Sequence, residues 1–65
     1  MDNEVEIVVQ VNGKIADRAM VSKEMNEADM QALALELDKV REAMGGKTVR
    51  KVIAVKGKLV NIVVG

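Results

Sequence analysis

The side chains that usually carry catalysis are scarce in this chain. It has no histidine and no cysteine, and its only hydroxyl side chains are Ser22 and Thr48. A hydroxyl nucleophile needs a neighbouring base, and the sequence offers none of the usual kind. Glu4 and Glu6 are a spaced pair of carboxylates, but their alternation with valine and isoleucine puts them on the solvent face of a strand. No metal-ligand spacing is present. Asn12-Gly13-Lys14 contains one glycine between two apolar runs, whereas a phosphate-binding loop needs a glycine-rich turn feeding a helix. The chain by itself is expected to be no enzyme and to hold no metal, cofactor or small-molecule substrate.

Charge offers more. The ten cations and ten anions cancel, but they are segregated along the chain. Residues 23 to 46 carry Glu24, Glu27, Asp29, Glu36, Asp38 and Glu42 against Lys23, Lys39 and Arg41. Residues 47 to 65 carry Lys47, Arg50, Lys51, Lys56 and Lys58 and no acid. Such asymmetry suits an anionic partner. It also suits an edge strand kept soluble by lysine.

The elements that must position these cations follow from periodicity. In residues 4 to 11, Val5, Ile7, Val9 and Val11 fall on one face by alternation, the period of a half-buried strand. Asn12-Gly13 signals a hairpin. A two-residue turn would put Lys14 and Arg18 on the apolar face. A three-residue turn with Gly13 at a left-handed bulge position avoids that, pairing Gln10 with Lys14, Val9 with Ile15, Glu6 with Arg18 and Val5 with Ala19, and leaving Asp17 as the misfit. Residues 27 to 44 read as one helix with a stripe of Met30, Leu33, Leu37, Val40 and Met44. Asn26 is placed to cap its start, with Glu27 and Asp29 in the first turn and Met25 and Met30 as a hydrophobic staple. Gly45-Gly46 ends it with a left-handed cap. The methionines read as adaptable core filler.

Residues 48 to 55 and 58 to 64 form a second hairpin. A two-residue turn at Lys56-Gly57 pairs Val55 with Lys58 and Ile53 with Val60. One face then holds Ile53, Val55, Val60, Ile62 and Val64, and the other holds Val52, Ala54, Leu59 and Val63, interrupted by Arg50 and Asn61. One helix covers one face, so the second apolar face is expected to lie partly open, as surfaces for partners often do. The fold class is α+β: a single small ββαββ domain over residues 1 to 65, ordered from about 4 to 64, with two hairpins forming a sheet packed against one helix. With 65 residues, no cysteine and no aromatic residue, its core is small and purely aliphatic. No apolar run approaches the roughly 20 residues that span a membrane, and no leader is visible. The expectation is a soluble, cytoplasmic domain without a membrane partner.

Two kinds of function fit these features. The basic C-terminal third suits nucleic acid, bound through phosphates and shape because no aromatic side chain is available to stack on bases. The second apolar face suits docking onto protein or self-association. Phosphate contacts weaken steeply with salt and apolar burial does not, which separates the two.

The segments "VVQVNGKIADR", "ALALELDKV" and "GKTVRKVIAVKGKLVNIVV" resemble the extreme C-terminal domain of bacterial leucyl-tRNA synthetase, from about Val5 to Val64. The family places this domain after a flexible linker at the end of a large class I synthetase, where it reaches the outer corner of the L-shaped tRNA. The resemblance implies a tRNA-binding piece of a leucine–tRNA ligase, with leucine tRNA and the rest of the synthetase as partners and the catalytic, editing and anticodon-side domains elsewhere. Asn12, Gly13 and Lys14 match the family's first turn. Gly45 or Gly46, Lys47, Arg50 and Lys51 match its helix exit and basic strand. Gly57, Lys58 and Asn61 match its last hairpin. The RNA-facing candidates are thus Lys14, Lys47, Arg50, Lys51, Lys56 and Lys58, and the turn and cap residues are Asn12, Gly13, Asn26, Gly45, Gly46 and Gly57. The family commonly has proline where Ser22 and Lys56 stand, and often a base where Ala16 stands. These departures suggest looser loops and a footprint shifted toward the second hairpin.

Overall fold

A computed structural model describes residues 3 to 65. The order of elements is β1 (Glu4–Val11), β2 (Lys14–Ser22), α1 (Glu27–Glu36), α2 (Asp38–Met44), β3 (Val49–Val55) and β4 (Leu59–Val64). The α+β class and the two hairpins are as expected. The strands form one sheet in the order β2-β1-β4-β3. Each hairpin is antiparallel, and the two are joined at the centre by parallel pairing of β1 with β4, from Val8 opposite Leu59 to Val11 opposite Ile62.

The core lies between this sheet and the helices. Ile7, Val9 and Val11 of β1 and Val60, Ile62 and Val64 of β4 are buried beneath Met30, Ala34 and Val40, with Val21 alongside. All are aliphatic, and no polar side chain among the described residues is buried with them. Each fully buried Val, Ile or Met side chain contributes about 1.5–3 kcal/mol. The two central strands supply most of that burial.

Three expectations about register and continuity need correction. The first turn has two residues. Asn12 (φ 52) and Gly13 (φ 81) are both left-handed, and Val11 pairs with Lys14. Positive φ at both central residues is the requirement of a type I′ turn, which asparagine and glycine meet most easily. The bulge falls inside β2 instead: Gln10 pairs with Ile15, but Val9 pairs with Asp17, so Ala16 is the extra residue. Lys14 therefore occupies an inward position, tolerated because the end of the strand leaves it exposed. The bulge then resets the alternation before Arg18, which faces outward opposite Val8. Ala19 faces Ile7 and Val21 faces Val5, two places beyond the expected pairing. Asp17 falls on the inner side, half-buried at the sheet edge, and its Oδ1 accepts the Arg18 N–H at 2.8 Å. An inward charge on an edge strand opposes edge-to-edge association.

The helix is broken. Leu37 is extended (φ −68, ψ 130) and serves as both the end of α1 and the start of α2. Neither proline nor glycine stands there, so the break comes from packing. α1 lies over β3 and β4, whereas α2 lies over β1 and β2. A straight rod cannot follow a twisted sheet from one half to the other and still bury both Ala34 and Val40.

The second turn is longer than expected. Lys58 donates its N–H to the Val55 carbonyl at 3.0 Å, Gly57 has φ 71, and Val55 pairs with Leu59. Positive φ at the third residue is the mark of a type II turn, with Lys56 at the second position. The single-residue shift exchanges the two faces of β3. Val52 and Ala54 join the core side opposite Ile62 and Val60, while Ile53 and Val55 turn outward with Leu59 and Val63. A second bulge drops Arg50 from the pairing between Val49 and Lys51. The open face therefore carries Val8, Ile53, Val55, Leu59 and Val63, with Ile15 and Met20 of β2 on the same side.

Candidate nucleic-acid interface

The strand directions divide the candidate cations. β1 and β4 run toward the Asn12-Gly13 turn, and β2 and β3 start there. Lys14 opens β2 at this end. Lys47 arrives from α2, whose C-cap Gly45 is left-handed (φ 60, ψ 30) and donates its N–H to the Arg41 carbonyl. Lys47 donates its own N–H to the Met44 carbonyl at 3.0 Å, which fixes the exit of the chain. Lys14 and Lys47 then line one hollow of ≈ 390 Å³ with Val11, Asn12, Ile15, Ala16 and Ala43. A second hollow of ≈ 420 Å³ is lined by Arg41, Glu42, Met44, Gly46 and Lys47, so Lys47 belongs to both.

Arg50 also lies at this end. A Cβ placed on Gly65 would stand 3.6 Å from its Nε, so its side chain runs along the end of β4. Lys51 faces outward opposite Val63. Lys56 and Lys58 occupy the β3–β4 turn, six residues of strand away; at about 3.3 Å per residue that is about 20 Å. Gly57 lies against Val5, which places these two lysines beside the acidic start of β1 with Glu4 and Glu6. The six cations thus form no single rim: Lys14 and Lys47 meet at one end, Arg50 stands at that end on the opposite edge strand with Lys51 next to it in β3, and Lys56 and Lys58 lie at the other end.

Arg41, outside the sequence-based candidates, also belongs to the basic end. Its signal was present: a base in the last helical turn, immediately before a glycine cap, favoured there by the helix dipole. It projects to the same end as Lys47 because the chain turns sharply after it.

Two asparagines hold this end together. Asn12 donates its N–H to the Ile62 carbonyl at 2.8 Å, and its Oδ1 accepts the Val64 N–H at 2.9 Å. Gly13 donates its N–H to Asn61 Oδ1 at 3.1 Å. The side chain of each hairpin thus closes on the backbone of the other, extending the parallel ladder past its last residue pair. At the opposite end Asn26 Oδ1 caps α1 by accepting the Asp29 N–H at 2.8 Å. Among the described residues no group of acids offers a metal site, and no helix is long and apolar enough to cross a membrane.

No protein-family model matches the sequence. A solved structure does. The crystal structure of a ternary complex of a leucyl-tRNA synthetase from Agrobacterium radiobacter with tRNA and LeuAMS contains this fold at a TM-score of 0.88 and 25% identity. The match covers 100% of this chain and 8% of the synthetase chain. Over its whole length, therefore, the chain resembles one small segment of a leucyl-tRNA synthetase.

Proposed function

We propose that this chain is a tRNA-binding appended domain of a leucine–tRNA ligase. It meets the outer corner of tRNA through backbone and shape and supports aminoacylation by the parent enzyme in the cytoplasm. The observation that carries this reading is the full-length match to a segment of a synthetase whose structure holds tRNA. The basic end supports it. Lys14 and Lys47 share one hollow that has no acid in its wall, Arg41 and Lys47 share a second that also holds Glu42, and Arg50 stands at the same end of the sheet on the opposite edge strand. Such cations position an RNA backbone and carry no base code. A domain that meets only a few phosphates binds weakly alone, and tethering to the rest of the synthetase raises its effective concentration. No cofactor enters the reading.

Titration of labelled tRNA at low and at physiological salt tests it. The expected slope of log K against log salt is roughly −0.7 to −0.9 per phosphate neutralised. Absence of salt-sensitive binding up to millimolar protein would sink the proposal.

A second reading is favoured by the uncovered sheet face. Val8, Ile53, Val55, Leu59 and Val63 lie together across three strands, and Ile53 and Val55 are each 40% exposed. Such a patch suits protein docking or self-association. Sedimentation across concentration tests the latter, and a strict monomer removes it.

A further inference from the structure

Ile15, the second residue of β2, pairs with Gln10 on the outward side of the sheet and is 58% exposed, and nothing in the fold covers it. It lines the hollow between Lys14 and Lys47, together with Val11, Ala16 and Ala43. The wall is therefore mixed: two ammonium groups and a carboxamide beside four aliphatic side chains, and no acid. A site for phosphate alone needs no aliphatic floor. A site for protein is a broad face rather than a hollow. We infer that this hollow seats one unstacked ribonucleotide of the bound RNA, with its phosphate at Lys14 and Lys47 and its base or ribose on the aliphatic floor. The inference rests on the tRNA reading and assigns that reading a subsite.

Several features fit. The volume of ≈ 390 Å³ lies at the small end of the roughly 300–1,000 Å³ typical of ligand clefts, suited to one nucleotide unit. RNA is read most often where bases are splayed out of a helix. This chain has no aromatic residue for stacking, so aliphatic contact must replace it. The bulge at Ala16 interrupts the alternation of β2, and such bulges re-aim neighbouring side chains. Asn12 is pre-oriented: its Oδ1 is committed to the Val64 N–H, so the Nδ2 hydrogens are what its side chain has left to donate. The negative end of α2 disfavours a phosphate, and the two ammonium groups offset it; of the carbonyls there, those of Arg41 and Met44 accept from Gly45 and Lys47. Small side chains at Ala16 and Ala43 keep the hollow open.

Ala43→Leu tests this directly. Residue 43 is exposed on a helix, leucine is a good helix former, and no charge changes. The expected result is tRNA binding weakened by about fivefold or more with an unchanged salt slope, because the phosphate contacts remain while the floor is filled. Wild-type affinity in Ala43→Leu would overturn the seat and leave the tRNA reading intact. A second arm uses no tRNA: amide shifts of the wild-type chain with cytidine 5′-monophosphate and with inorganic phosphate. The nucleotide should move Ile15, Ala16 and Ala43, and phosphate should not. Identical shifts from both ligands would also overturn the seat. Nucleotide-specific shifts in a chain that fails to bind tRNA would sustain the seat and remove the tRNA reading. If Ala43→Leu melts early, Ile15→Ser at the exposed rim is the substitute, with the same expected loss.

Discussion

At one end of the sheet, Lys14 and Lys47 flank a hollow floored by Val11, Ala16 and Ala43; at the other, Lys56 and Lys58 stand on a turn beside Glu4 and Glu6. Lysine therefore has two settings in this domain. At the first end the chain is fixed from several directions: a type I′ turn, two asparagine clasps, a left-handed helix cap and the edge of Arg50 along β4. At the second, one short turn carries both cations and packs against Val5 at the start of β1. Density of lysine in the sequence is highest at the second end. Convergence in space is highest at the first.

The largest expected effect comes from breaking the clasp. Asn12→Ala strands the part-buried Val64 N–H, at about 1–3 kcal/mol, and forces alanine into a left-handed conformation, at about 1–2 kcal/mol. Urea unfolding should show a combined loss of at least about 2 kcal/mol, and a loss within about 0.5 kcal/mol would mean that the clasp does not hold the two hairpins together. Charge reversal comes next. Lys14→Glu with Lys47→Glu should lower tRNA affinity by more than about tenfold, while Lys56→Glu with Lys58→Glu lowers it by about two- to threefold. Equal losses would spread the footprint over both ends, and the reverse order would move it to the second hairpin. The smallest change sharpens the contrast. Lys56→Pro suits the second position of a type II turn and should stabilise the domain by about 0.4–1 kcal/mol, with little effect on tRNA affinity. Destabilisation would show that the Lys56 backbone cannot accept proline.

The first turn and the second teach the same lesson about legibility. Both turns stand where their glycines mark them, and in both the loop length differs from the one local patterning favours. At Asn12-Gly13 the cost of Lys14 on the apolar face argued against the short turn, but the strand ends there and the bulge at Ala16 spares Arg18. At Lys56-Gly57 both faces of β3 are apolar, so nothing local distinguishes Ile53 and Val55 inward from Val52 and Ala54 inward. The break at Leu37 was equally hidden, because α1 and α2 share one continuous apolar stripe and diverge only to follow the twist of the sheet.

The sequence by itself determined the element types, the hairpin positions, the Asn26 and Gly45 caps, the aliphatic core and the segregation of charge. These are local properties, set by periodicity, backbone propensity and side-chain chemistry within a few residues. Tertiary structure alone decided the strand order, the loop lengths, the kink and which cations meet. Strand pairing between β1 and β4 joins residues some fifty positions apart. Only that pairing brings Asn12 to Val64 and Asn61 to Gly13, and only the packing of α2 onto β1 and β2 brings Lys47 beside Lys14.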